Sequence, residues 1–71
     1  MTDVEITKEP VELYKILKFE GMVASGGEAK TVIEKGLVLV NGEVETRKRK
    51  KIVSGDIIEF AEEKMHIQLK P

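Results

Sequence analysis

No cysteine occurs among the 71 residues, which excludes disulfides, thiol chemistry and cysteine-based zinc sites. Aromatic residues are nearly as scarce: Tyr14, Phe19 and Phe60, with no tryptophan. Proteins that hold single-stranded nucleic acid commonly stack bases on aromatic platforms. Three scattered rings make a poor platform, and a surface that reads shape and phosphate suits this composition better. Long apolar runs are also missing. The longest, Leu37 to Val40, falls far short of the ~20 residues that span a bilayer. Met1 to Pro10 has no basic stretch followed by an apolar one, so no signal peptide is expected. A soluble, cytoplasmic protein without membrane contact is the expectation.

Net charge is also nearly absent, at -1 from 12 basic and 13 acidic residues. The distribution says more than the total. Arg47, Lys48, Arg49, Lys50 and Lys51 are consecutive, whereas the acids are scattered. Clustering sets the local potential, so a mildly acidic chain can carry one strongly positive face. The low total speaks only against non-specific wrapping of long polyanions.

A chain of this length makes one domain, residues 1–71, and buries only about 60% of its unfolded surface. At 41% hydrophobic it has enough apolar residues for a compact core. Val4 and Ile6 alternate with polar neighbours and predict a short leading strand. Pro10 suits the first turn of a helix. Leu13, Ile16 and Leu17 then recur at helical spacing up to Gly21, which predicts a first helix over about Val11 to Glu20. Ser25 and Glu28 form a capping-box pattern for a second helix. Ala29, Val32 and Ile33 give that helix an apolar stripe, and Gly36 is placed to end it. Gly26 and Gly27 are poor helix formers; they would let another backbone approach closely, either the first helix, which is the preferred reason, or a bound nucleic-acid strand.

Leu37 to Val40, then Asn41-Gly42, then Glu43 to Glu45 predict a hairpin, because both turn residues accept positive φ. Ile52-Val53, the Ser54-Gly55-Asp56 turn and Ile57 to Phe60 follow. A last turn around Glu62-Glu63 leads into Met65, Ile67 and Leu69, which alternate with His66, Gln68 and Lys70. The order is roughly β-α-α-β-β-β, an α+β fold with two N-terminal helices on a small curled antiparallel sheet. No repeat, linker or low-complexity segment interrupts it.

The run from Arg47 to Lys51 is the leading functional feature, because uninterrupted like charges repel unless something opposes them. In an extended segment Lys48 and Lys50 would point away from Arg47, Arg49 and Lys51. Lys30, near the start of the second helix, could join an anion site with donors from Ser25, Gly26 and Gly27, although Glu28 opposes one. Lys15 and Lys18 share a side of the first helix, where solubility is their ordinary role. Asn41 reads as a turn residue. His66 is the lone histidine and stands on the polar side of the last strand. No nucleophile–base set, P-loop or dinucleotide pattern occurs. An enzyme, a metal site and a cofactor are therefore not expected.

The helix ending at Gly21, then SGGEAKTVIEKG, VLVNGEVETRKRKKI and VSGDIIEF together resemble the small RNA-binding domain first known from ribosomal protein S-four, the alpha-L motif. Leu13 to Phe60 carries the resemblance, a motif at about residues 11–60. The whole chain is similar to the stand-alone bacterial YbcJ-like members. The resemblance implies non-catalytic binding of structured RNA, ribosomal or transfer RNA, with ribosomal or RNA-modifying proteins as further partners. It places Lys30, Arg47, Lys48, Arg49, Lys50 and Lys51 on the RNA face, with Lys18 near its edge; the helix-start donors Ser25, Gly26 and Gly27 complete the expected RNA-binding set. Many family members have arginine where this chain has Gly26, so one expected phosphate contact is missing. An adaptor that docks proteins is the alternative, and it requires exposed apolar residues near Phe19, Met22 and Val23.

Overall fold

The computed structural model describes residues 1–70. Its elements are β1 (Thr2–Ile6), β2 (Val11–Glu12), α1 (Leu13–Phe19), α2 (Gly26–Glu34), β3 (Leu39–Val40), β4 (Glu43–Val44), β5 (Lys51–Ile52), β6 (Ile57–Phe60) and β7 (Glu63–Leu69). Five strands form one sheet in the order β1-β7-β6-β3-β4, and β2 pairs with β5 separately. All pairs are antiparallel except β1 with β7, which run parallel with Val4 opposite Ile67. The α+β architecture of two helices on a small sheet agrees with the sequence pattern.

The first helix is shorter than its periodicity suggests. Val11 and Glu12 pair with Ile52 and Lys51 as strands, and Glu12 has an extended backbone, φ -70° and ψ 138°. Pro10 therefore precedes a strand rather than opening a helix. At the other end Glu20 is the cap, and the N–H groups of Gly21 and Met22 donate back to the carbonyls of Lys18 and Leu17.

In α2 the Ser25 Oγ accepts from the Glu28 N–H at 3.2 Å. The Glu28 carboxylate reaches one residue further than the usual reciprocal box and accepts from the Ala24 N–H. Gly36 ends the helix at φ +76°, a conformation side chains resist. The N–H groups of Gly36 and Leu37 return to Ile33 and Val32. Close packing does not explain Gly26 and Gly27. A Cβ at Gly26 would meet the Tyr14 ring no closer than 3.9 Å, and one at Gly27 only the Ser25 hydroxyl at 3.8 Å. Both are ordinary contacts, so the helix start is simply left bare.

Leu13, Leu17 and Ile33 from the helices, with Val38, Ile52, Ile58 and Ile67, are the largest fully buried side chains. Each contributes about 1.5–3 kcal/mol by leaving water, the leading stabilising effect in a domain this small. The final turn falls at Ala61 and Glu62, both at positive φ, rather than at Glu62-Glu63, because Phe60 pairs directly with Glu63. The β3–β4 turn is locked to the turn before β6. The Asn41 side chain donates to Asp56 Oδ1 at 3.0 Å and accepts from the Ile57 N–H at 2.9 Å. Asp56 Oδ2 in turn accepts from the Val53 N–H. This side-chain bridge joins the Asn-Gly and Gly-Asp turns that the sequence shows as separate signals.

Candidate nucleic-acid interface

The segment from Arg47 to Lys51 is not extended. The Lys50 N–H donates to the Arg47 carbonyl at 3.1 Å, closing a turn. Strict alternation of side chains therefore fails, and Arg47, Arg49, Lys50 and Lys51 line one shallow open groove. The turn is held by its backbone. Glu12 provides no side-chain cap for α1; instead the Leu13 and Tyr14 N–H groups donate to the carbonyls of Lys50 and Lys48 at 2.9 and 3.2 Å. Helix donors that would otherwise lack partners are thus satisfied by the basic turn, and the β2–β5 pair clamps its far end. None of these backbone bonds uses the five basic side chains.

Sequence reasoning overlooked Tyr14. Its ring is half-buried against the core, and the Lys30 Nζ lies 4.8 Å from the ring centroid, with that of Lys15 at 6.0 Å. A cation at the first distance is attracted by the ring face. Lys30 thereby lies over Tyr14 of α1, whose ring stands beside Gly26. The Lys18 side chain runs beside Gly26. Tyr14 thus links α1, α2 and the basic turn. Its place four residues before Lys18, on the same helix side, was the available signal.

Acids from elsewhere oppose the charge run. Arg47 grips Glu45 through Nε at 2.9 Å and through its terminal nitrogen at 3.1 Å. The hydrogen bonds from the Arg47 side chain and backbone hold the Glu45 carboxyl down to about 2, and the same pair raises Arg47 further. Lys48 reaches Glu34 at 3.4 Å, and Arg49 reaches Glu12 at 3.9 Å. Glu12 also takes Lys15 at 3.2 Å. Among the described residues Lys18, Lys30, Lys50 and Lys51 form no ion pair.

His66 lies outside this face, on β7, with Asp3 at 3.5 Å across the parallel pair. Among the described residues no group of three His, Cys, Asp or Glu side chains could hold a metal ion. Among the described residues no helix is long and apolar enough to cross a membrane. Of the three apolar residues that a protein adaptor would expose, Phe19 is 71% exposed, Met22 is partly buried and Val23 is in the core.

Known proteins match this arrangement. The family model described as S4 domain matches residues 4–68. The YbcJ proteins of Escherichia coli (strain K12) and Shigella flexneri are each 50% identical over 62 residues, covering 86% of this chain and 89% of theirs. The Bacillus subtilis (strain 168) protein named "probable ribosome maturation protein RlbA" is 36% identical over 57 residues, 80% of each chain. The solution structure of YbcJ from E. coli, described as having an alfaL motif involved in RNA-binding, superposes with a TM-score of 0.72 at 43% identity. That match covers 96% of this chain and 87% of YbcJ. The chain belongs to the S4 domain family and shares the fold in which the alfaL motif of YbcJ is described.

Proposed function

We propose that this domain takes structured ribosomal or transfer RNA on the face built by Tyr14, Lys18 and Lys30 of the helices and by residues 47–51. The observation that carries the reading is the backbone anchoring of the basic turn on α1. It seats the basic turn on the start of α1, beside the half-buried Tyr14 ring that Lys30 approaches from α2, and cations on a shared scaffold can select shape as well as charge. A-form RNA is recognised largely through its shape and backbone. Ribosomal RNA is the first target to try, because one relative carries ribosome maturation in its name. Cytoplasmic action and contact with ribosomal or RNA-modifying proteins follow from that reading. The adaptor alternative retains only Phe19 of its three exposed residues.

The test is binding to ribosomal RNA fragments and to bulk transfer RNA across a salt series. The comparison is a variant with Lys30, Lys50 and Lys51 changed to Ala. Each phosphate no longer neutralised should flatten the log–log salt dependence by roughly 0.7 to 0.9, so removing three cations should flatten it by about two units. Equal affinity and equal slope for variant and wild type would remove RNA from this face.

A further inference from the structure

The cations of the basic face fall into two classes that their sequence does not distinguish. Lys18, Lys30, Lys50 and Lys51 form no ion pair among the described residues, whereas Arg47, Lys48 and Arg49 are each held by a carboxylate of the same chain. The three pairs also differ among themselves. Glu45 is well covered, with a side chain 13% exposed. It accepts from Arg47 three times, twice from the guanidinium and once from the backbone. That pair is part of the turn. Glu34 and Glu12 are otherwise placed. Lys48–Glu34 at 3.4 Å and Arg49–Glu12 at 3.9 Å are longer than the ~2.7–2.9 Å of a tight charge-assisted bond. Their exposed members meet water, where such pairs contribute little stability. Both reach the basic turn from outside it, Glu34 from α2 and Glu12 from β2.

A carboxylate and a phosphate oxygen compete for the same donors. We infer that Glu12 and Glu34 are internal competitors for RNA phosphate, and that they make Lys48 and Arg49 conditional contacts. This rests on the RNA-face reading above. A polyanion approaching at random finds only the unpaired lysines, and it meets two negative charges beside them. An RNA whose backbone follows the face engages those lysines first, and its next phosphates then lie close enough to displace the two carboxylates. Glu12 and Glu34 would thus lower affinity in general and raise the preference for RNA of fitting shape. Local repulsion offers a specificity that attraction alone does not. They are specificity-determining residues that need not touch the RNA themselves.

The experiment uses Glu34→Gln, Glu12→Gln and the double variant, with Glu62→Gln as a control that makes the same change in net charge in the β6–β7 turn. The probes are a random-sequence RNA duplex of about 16 base pairs, the span of a typical double-strand RNA reader, and bulk transfer RNA as a folded probe. In about 0.1 M salt each of the two single variants should bind the duplex about three- to tenfold more tightly, because competition for the cations and repulsion near the phosphates both fall. The control should change affinity less than about twofold, because at that salt concentration charges beyond a Debye length of roughly 10 Å are largely screened. The gain for transfer RNA should be smaller than for the duplex, so the preference for folded RNA falls. Thermal midpoints should stay close to wild type, since exposed pairs hold little stability. Gains no larger than that of Glu62→Gln, or any loss of affinity, would overturn the inference while leaving the RNA face intact. If neither wild type nor the double variant bound either probe, the face itself would be wrong, and the inference with it. Binding gained only in the double variant would support it.

Discussion

Replacing Asn41 with alanine tests the bridge between the two turns that frame the sheet. The substitution removes the hydrogen bond to the Asp56 carboxylate and the one from the Ile57 N–H. It also leaves alanine at φ +53°. A net hydrogen bond is worth about 0.5–1.5 kcal/mol, more to a charged group. Asn41 is exposed and water can replace part of each bond, so about 0.5–1 kcal/mol per bond is the appropriate range. The left-handed backbone adds about 1 kcal/mol for a residue with a Cβ and no local hydrogen bond. The sum is about 2–3 kcal/mol, against roughly 3.5–10 kcal/mol for a domain of this size. With a shift of about 4–8 °C per kcal/mol in small domains, the midpoint should fall by about 10–20 °C.

Two companions separate the contributions. Asn41→Gly keeps the backbone freedom and removes only the bonds, so it should lie between alanine and wild type. Asn41→Asp keeps an acceptor for Ile57 but places a second carboxylate beside Asp56. Two like charges that close repel, so this variant should be less stable than Asn41→Gly at pH 7. Urea denaturation followed by far-ultraviolet circular dichroism measures all three. An alanine variant within about 0.5 kcal/mol of wild type, the scatter of neutral surface changes, would refute the bridge as a structural element.

Two further predictions concern single side chains. Glu45, held at about 2, should titrate well below the ordinary carboxylate range in a carboxyl NMR experiment, and Arg47→Ala should raise its midpoint. Because the folded value is depressed, the stabilisation is complete above the unfolded value near 4.5 and is lost as pH falls toward 2. A normal midpoint would dissolve the pair. Phe19→Ala should leave the thermal midpoint unchanged within the ~0.5 kcal/mol typical of surface sites and RNA affinity within about twofold, by titration. A clear loss of RNA affinity would extend the interface to the end of α1.

The parts of the fold legible in the sequence are those fixed by near neighbours. Ser25 announces its helix through a hydrogen bond three residues long, Gly36 ends it, and Asn41-Gly42 turns the chain within its own pair. Alternation in Val4, Ile6, Met65 and Ile67 marks half-buried strands, but it carries no direction of pairing, so the parallel match of β1 with β7 was not visible. The pairing of Val11-Glu12 with β5 was hidden because two residues are too few to show a period. In the same way, the cluster at Arg47 to Lys51 was evident as charge, while its partners were not. Glu34 and Glu12 lie on other elements, and only folding brings them to it. Tyr14 escaped notice because one ring among lysines is informative only once Lys30 arrives from a second helix.

The parallel pair also has a consequence for the order of folding. Val4 and Ile6 find their partners, Met65 and Ile67, at the far end of the described residues. The helices and their turns need nearer partners, since the first N–H groups of α1 reach no further than the carbonyl of Lys50. Long-range pairing carries the larger loop-closure cost and comes late. In refolding, the half that holds the basic turn should thus take shape while the first strand still waits for its partner.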